Sequence, residues 1–107
     1  MSYRTVIFEI ATTKYEEDRR LVSSIMEELQ SLCGLSGGFL LSEPVEKFGW
    51  IFFKVLLKGE LVSGMQEKLG GQIARSKGKK PDEKFTEFVT KFFESKNYKV
   101  RMKIVEG

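Results

Sequence analysis

The spacing of apolar residues changes several times along this chain, and these changes limit its fold more than any other feature. Residues 3–11 alternate, with Val6, Phe8 and Ile10 on one side, as in a half-buried strand. Residues 14–33 then carry apolar side chains three or four positions apart, which predicts an amphipathic helix. A strand followed by a helix indicates a layered domain that contains both kinds of element.

Residues with known preferences mark the ends of the predicted helices. Thr13 and Glu16 have the spacing of a capping box, and Gly34 favours the end of the first helix. Gly70–Gly71 predicts the end of a second helix, because glycine weakens a helix interior. Pro81 suits the first position of a third helix.

The order of all elements predicts the fold class. After the first helix we expect a strand over residues 38–43, a turn over 44–47, a long strand over 48–58, helices over about 60–69 and 81–96, and a strand over 98–105. The order β-α-β-β-α-α-β is typical of the α+β, ferredoxin-like two-layer sandwich, a four-stranded antiparallel sheet with helices on one face. One such domain accounts for residues 1–107, with Phe85, Phe88 and Phe92 in its core.

Composition argues against several classes of chemistry. The chain has no histidine, so general acid–base catalysis by imidazole is excluded, and we expect no enzyme, no cofactor and no metal site. Cys33 is the single cysteine, which excludes an intramolecular disulfide and favours a reducing compartment. The N-terminal residues do not resemble a signal peptide, and Lys54 and Lys58 interrupt the longest apolar stretch, so we expect a cytoplasmic protein that does not enter a membrane.

The long third strand has an unusual aromatic row. Phe48, Trp50 and Phe52 fall in the same row as Lys54 and Lys58. Because a buried, unpaired ammonium group is costly, this row should face away from the core. By the same alternation the last strand should present three basic side chains beside this row, namely Lys99, Arg101 and Lys103.

An aromatic centre beside basic side chains suits single-stranded nucleic acid, because rings stack on bases and cations contact phosphates. The stretch EKFGWIFF also resembles the RNP1 element of RNA-recognition-motif domains. The matching residues are Phe48, Gly49, Trp50, Ile51 and Phe53. Glu46 and Lys47 depart from that pattern, which has a basic residue and a glycine there. The resemblance covers eight residues and implies RNA binding.

The sequence leaves two questions open. The aromatic row can equally be an interface through which the chain forms a homodimer or larger oligomer. The charge is also uneven, because residues 1–67 carry seven basic and ten acidic side chains and residues 68–107 carry eleven and five. The loop residues Arg75, Lys77, Lys79 and Lys80 are either additional phosphate contacts or a solvated loop, and the second interpretation is favoured unless the loop lies beside the aromatic row.

Overall fold

The computed structural model describes residues 5–99 and 102–106, with side chains described for residues 5–99. Within that part of the chain there are three helices, α1 (Tyr15–Leu32), α2 (Gly59–Ala74) and α3 (Pro81–Glu94). The strands are β1 (Val6–Thr12), β2 (Phe39–Leu41), β3 (Val45–Lys47), β4 (Trp50–Leu57) and β5 (Met102–Glu106). The protein is therefore an α+β protein.

All described strands pair antiparallel in one sheet. β1 pairs with β4 along the whole length of β1, from Val6 opposite Leu57 to Thr12 opposite Ile51. β5 pairs with the other side of β1, and β2 and β3 share the other side of β4. Although five segments contribute, the sheet is four strands wide, with the order β2/β3, β4, β1, β5.

The connection between β2 and β3 contains one residue more than the stretch of β4 that it faces. Leu41 lies opposite Val55 and Val45 lies opposite Phe52, so the edge chain advances four positions while β4 advances three. The hydroxyl of Ser42 accepts a hydrogen bond from the backbone N–H of Lys54 at 2.8 Å, where a regular ladder would use a carbonyl. This is a β-bulge, which interrupts the edge of the sheet.

The turn expected over residues 44–47 lies further along the chain. Residues 45–47 form β3, and the chain reverses at Phe48 and Gly49, whose φ angles are 54° and 81°. Two consecutive left-handed residues match the type I′ turn, whose twist suits a two-residue hairpin. The prediction that Phe48 belongs to a strand over residues 48–58 is wrong for this reason, and β4 begins at Trp50.

The buried sides of strands and helices form one core. On β4 the buried positions are Phe53, Val55 and Leu57, and Phe8 and Ile10 are their counterparts on β1. The helical members of the same cluster include Val22, Met26, Leu29, Leu61, Met65, Ile73, Phe85, Phe88, Val89 and Phe93. The expected burial of α3's aromatic stripe is confirmed for Phe85 and Phe88, and Phe92 packs against the core while partly buried.

Two helix ends differ from the sequence prediction. α2 continues through Gly70–Gly71 to Ala74, because Ile73 in its last turn is buried in the core and that contact outweighs about 1 kcal/mol of propensity cost per glycine. At the start of α1 the hydroxyl of Thr12, and not that of Thr13, accepts the backbone N–H of Lys14.

Candidate binding face

The side of the sheet opposite the core carries the aromatic row. β4 places Trp50, Phe52, Lys54 and Leu56 between its buried positions, so these side chains lie away from the core. β1 adds its own alternate residues, Ile7, Glu9 and Ala11, by its register with β4. We call this surface the Trp50 face. The prediction that Trp50, Phe52 and Lys54 share one outward row is in accord with their burial, whereas their binding role stays a prediction.

The strand register places side chains of the Trp50 face opposite one another across the sheet. These cross-strand groups are Lys47 and Trp50; Val45, Phe52 and Ala11; Lys54 and Glu9; and Leu40, Leu56 and Ile7. Apolar and aromatic groups therefore lie on both sides of the charged pair Lys54 and Glu9. Lys103 of β5 is in backbone register with Glu9 on the far side of β1, and its side chain lies outside the described residues.

The aromatic residues differ in accessibility. Phe48 is fully exposed at the hairpin turn, Trp50 is 48% exposed on the face, and Phe52 is half-buried between its neighbours. A left-handed conformation costs a residue with a side chain roughly 1–2 kcal/mol, so Phe48 holds an unfavourable backbone conformation while its ring contacts solvent. The hairpin thus carries one ring beyond the end of the sheet and a second ring on its surface.

The basic residues predicted for this site do not all share the Trp50 face. Lys58 is the N-cap of α2, where its carbonyl accepts the N–H groups of Leu61 and Val62, because β4 ends at Leu57. Its assignment to the strand row is wrong. Lys99 is exposed but precedes β5, which begins at Met102, so it is not a strand residue. Arg101 lies outside the described residues.

The basic loop belongs to the connection between α2 and α3. The Nε of Arg75 donates to the carbonyl of Gly71 at 3.1 Å, and the backbone N–H of Lys79 donates to Glu83 at 2.8 Å. The backbone N–H of Lys79, and after it that of Lys80, lowers the pKa of the Glu83 carboxyl by donating to it. The side chains of Arg75, Lys77, Lys79 and Lys80 are exposed. The loop is thus held by the helices, and its described hydrogen bonds do not include strands of the Trp50 face.

A small pocket of about 200 Å³ lies on the Trp50 face at the bulge. Its lining residues are Glu9, Ser42, Glu43, Val45, Lys47, Phe52, Phe53 and Lys54. Sequence reasoning did not include the two glutamates or Ser42, because the bulge depends on pairing with β4. Pro44 was the available signal, since proline in a sheet is confined to edges and bulges.

No three histidine, cysteine, aspartate or glutamate side chains among residues 5–99 lie together in a way that could hold a metal ion. Burial raises the pKa of the Cys33 thiol and outweighs the opposite effect of the Lys68 charge, so the reactive thiolate is disfavoured. None of the described helices combines the length and the apolar character needed to cross a bilayer.

The chain matches no protein family, and comparisons with curated proteins and with solved structures likewise returned no match. The assignment of a function therefore rests on the geometry of the candidate face.

Proposed function

We propose that this chain is a non-enzymatic binding module that holds single-stranded nucleic acid, most simply RNA, on its Trp50 face. In this proposal the domain is a ferredoxin-like sandwich whose three helices cover the opposite face of the sheet. The strand order β2/β3, β4, β1, β5 and the shared core of helices and strands support that arrangement. The proposal also places the protein in the cytoplasm, the compartment that its single cysteine favours.

One observation carries the proposal: accessible rings and lysines occupy the same face. Trp50 and Phe52 are two positions apart on β4, a spacing that leaves both rings on one surface. Lys47 is directly opposite Trp50, and Lys54 lies two residues after Phe52 on the same side of β4. Bases stack on exposed rings in a sequence-tolerant way, and lysines beside the rings can contact the connecting phosphates. Phe48 at the turn extends the stacking surface past the end of the sheet.

Trp50 provides the test, because it is the only tryptophan. Titration of single-stranded RNA of mixed sequence should quench its fluorescence, and the affinity should fall steeply as salt is raised. Trp50→Ala should cost about 1–3 kcal/mol of affinity, measured by anisotropy of labelled RNA. Leu21→Ala is a matched control, because it removes an exposed apolar side chain from α1. Equal affinity of Trp50→Ala and the parent chain for RNA would contradict the proposal.

A specific observation also favours a second function, self-association through the Trp50 face. Val45 is 51% exposed and Leu40 is 54% exposed, so the face includes aliphatic area that nucleic acid does not need. Exposed apolar patches of this kind are common at interfaces between proteins. Light scattering at micromolar concentration distinguishes the two functions. A dimer that Trp50→Ala converts to a monomer, without change in RNA affinity, would establish the interface and replace the nucleic-acid proposal.

A further inference from the structure

A second concave surface lies at the outer edge of the sheet, between α1 and β2. This groove of about 680 Å³ is lined by Tyr15, Glu16, Arg19, Arg20, Ser23, Phe39, Leu40 and Leu41. We call it the α1–β2 groove. It shares Leu40 with the Trp50 face but contains neither Trp50 nor the basic loop, so nucleic-acid binding on the Trp50 face does not account for it.

The backbone of β2 presents hydrogen-bonding groups toward this outer edge. The carbonyl of Gly38 accepts the N–H of Lys58, and the N–H of Ser42 donates to the carbonyl of Lys54, both at 2.9 Å. Residues 38 and 42 therefore direct those groups toward β4. Because the direction alternates along an antiparallel strand, the N–H and C=O groups of Phe39 and Leu41 point away from β4. A further strand could pair with these two residues.

Arg19 lies beside this edge in a fixed position. Its Nη1 donates to the hydroxyl of Tyr15 at 2.6 Å and to the carbonyl of Ser42 at 2.8 Å. The guanidinium carbon also lies 5.7 Å from the centroid of the Tyr15 ring. All three partners are neutral. A guanidinium has more N–H donors than these bonds use, so Arg19 can still bind a carboxylate, and its position is already set by its neighbours.

The described carboxylates do not neutralise the arginines of the groove. Ion pairs among the described side chains join Lys91 to Glu87 and Glu94, and Lys96 to Glu28. Glu16 lines the groove, but the two arginines leave an excess of positive charge there. A second copy of this chain is a poor occupant, because pairing two β2 edges about a two-fold axis would bring the arginine pairs of both copies together. The charge instead favours an acidic ligand.

We propose that the α1–β2 groove binds an extended, acidic segment of another protein, which adds to the sheet as a strand beside β2. Its backbone pairs with Phe39 and Leu41, and a glutamate or aspartate side chain pairs with Arg19. Successive side chains of the added strand alternate between the two sides of the sheet. Side chains toward α1 are therefore acidic, and those beside the exposed Leu40 are apolar. The bulge at residues 42–44 limits the pairing to a short segment.

A pair of capped peptides tests this proposal without nucleic acid. The probe has the sequence Val-Glu-Val-Glu-Val, and the control peptide has lysine in place of glutamate. When the ¹⁵N-labelled full chain is titrated, the glutamate peptide should shift the backbone amide signals of Phe39 and Leu41. The lysine peptide should leave these signals unchanged. Slower hydrogen exchange at the same two amides would report strand addition directly. Binding of both peptides with equal affinity would overturn the proposal.

Variants of the chain distinguish hydrogen bonding by the planar guanidinium of Arg19 from the effect of its positive charge alone. Arg19→Lys keeps the charge but loses the planar fork, and should weaken the glutamate peptide roughly tenfold. Arg20→Gln, which leaves the bonds of Arg19 in place, should weaken it by roughly threefold, as for an exposed pair. Arg75→Gln removes an equal charge from the α2–α3 loop and should have no effect. Unchanged affinity in both Arg19→Lys and Arg20→Gln would reject the arginine contact.

Two further outcomes are diagnostic. Amide shifts at Phe39 and Leu41 that depend on protein concentration without peptide would identify a second copy as the occupant and overturn the proposal. Arg19→Lys should leave the RNA-dependent quenching of Trp50 unchanged, because Arg19 lines the groove and does not belong to the Trp50 face, although Leu40 borders both surfaces. Failure of the RNA titration would therefore not affect the peptide result, and failure of the peptide titration would not affect the RNA result.

Discussion

The two sides of β4 belong to one strand but differ in what surrounds them. Phe53, Val55 and Leu57 are at most 1% exposed, and each lies within the shared core. Their neighbours Phe52 and Leu56 are only half-buried, although these side chains are as apolar. Residue type alone therefore does not decide burial here. Alternation along the strand and contact with the shared core decide it, which separates a stabilising side from a more accessible side.

The largest expected effect compares adjacent phenylalanines. Phe53→Ala should lower the free energy of unfolding by about 3–5 kcal/mol, because it leaves a cavity in the core beside the ring of Tyr15. Phe52→Ala, on the half-buried side, should cost roughly 1 kcal/mol. Urea denaturation followed by circular dichroism measures both values. Equal losses for the two variants would show that both sides of β4 are packed to the same extent.

A smaller effect is expected at the hairpin turn. Phe48→Asn should raise the free energy of unfolding by about 1 kcal/mol, because asparagine accepts the left-handed conformation more readily and Phe48 has no buried contact to lose. The same variant should bind RNA more weakly. Gly49→Ala is the companion variant and should destabilise the hairpin, since φ is 81° there. A loss of stability in Phe48→Asn would contradict this prediction and would mean that the Phe48 ring makes a stabilising contact with the rest of the protein.

The smallest effect concerns the lysines. Lys54→Ala should reduce the slope of log affinity for RNA against log salt by about 1, because one phosphate contact is lost from the Trp50 face. Lys79→Ala removes an equally exposed charge from the loop between α2 and α3, and should leave that slope unchanged. An equal reduction in both variants would extend the binding surface from the Trp50 face to the loop.

The sequence allowed the side-chain pattern of β4 to be predicted because its cause is local. Lys54 lies in the same alternating row as Trp50 and Phe52, and an unpaired ammonium group is too costly to bury. The stripe of α3 was predictable for the same reason, because Phe85 and Val89 recur at helical spacing and the structure buries both. These patterns require no knowledge of which distant residues meet.

Other features of the candidate face could not be predicted, because they arise from pairing between distant segments. Reversal at Phe48–Gly49 brings residues 45–47 beside β4, and the bulge before them creates the pocket that contains Glu9 and Glu43. The basic loop at residues 75–80 had the composition of a phosphate contact, but its described hydrogen bonds are to α2 and α3.

The sequence by itself determined which side chains alternate and which helical stripes are apolar, since backbone geometry and the cost of desolvation act over a few residues. The tertiary structure alone decided the register that places Glu9 opposite Lys54 and the contacts that hold Arg19 beside Ser42. These arrangements depend on the optimum packing of the whole core, because a shift of one residue in one strand would move every side chain of that strand to the other side of the sheet.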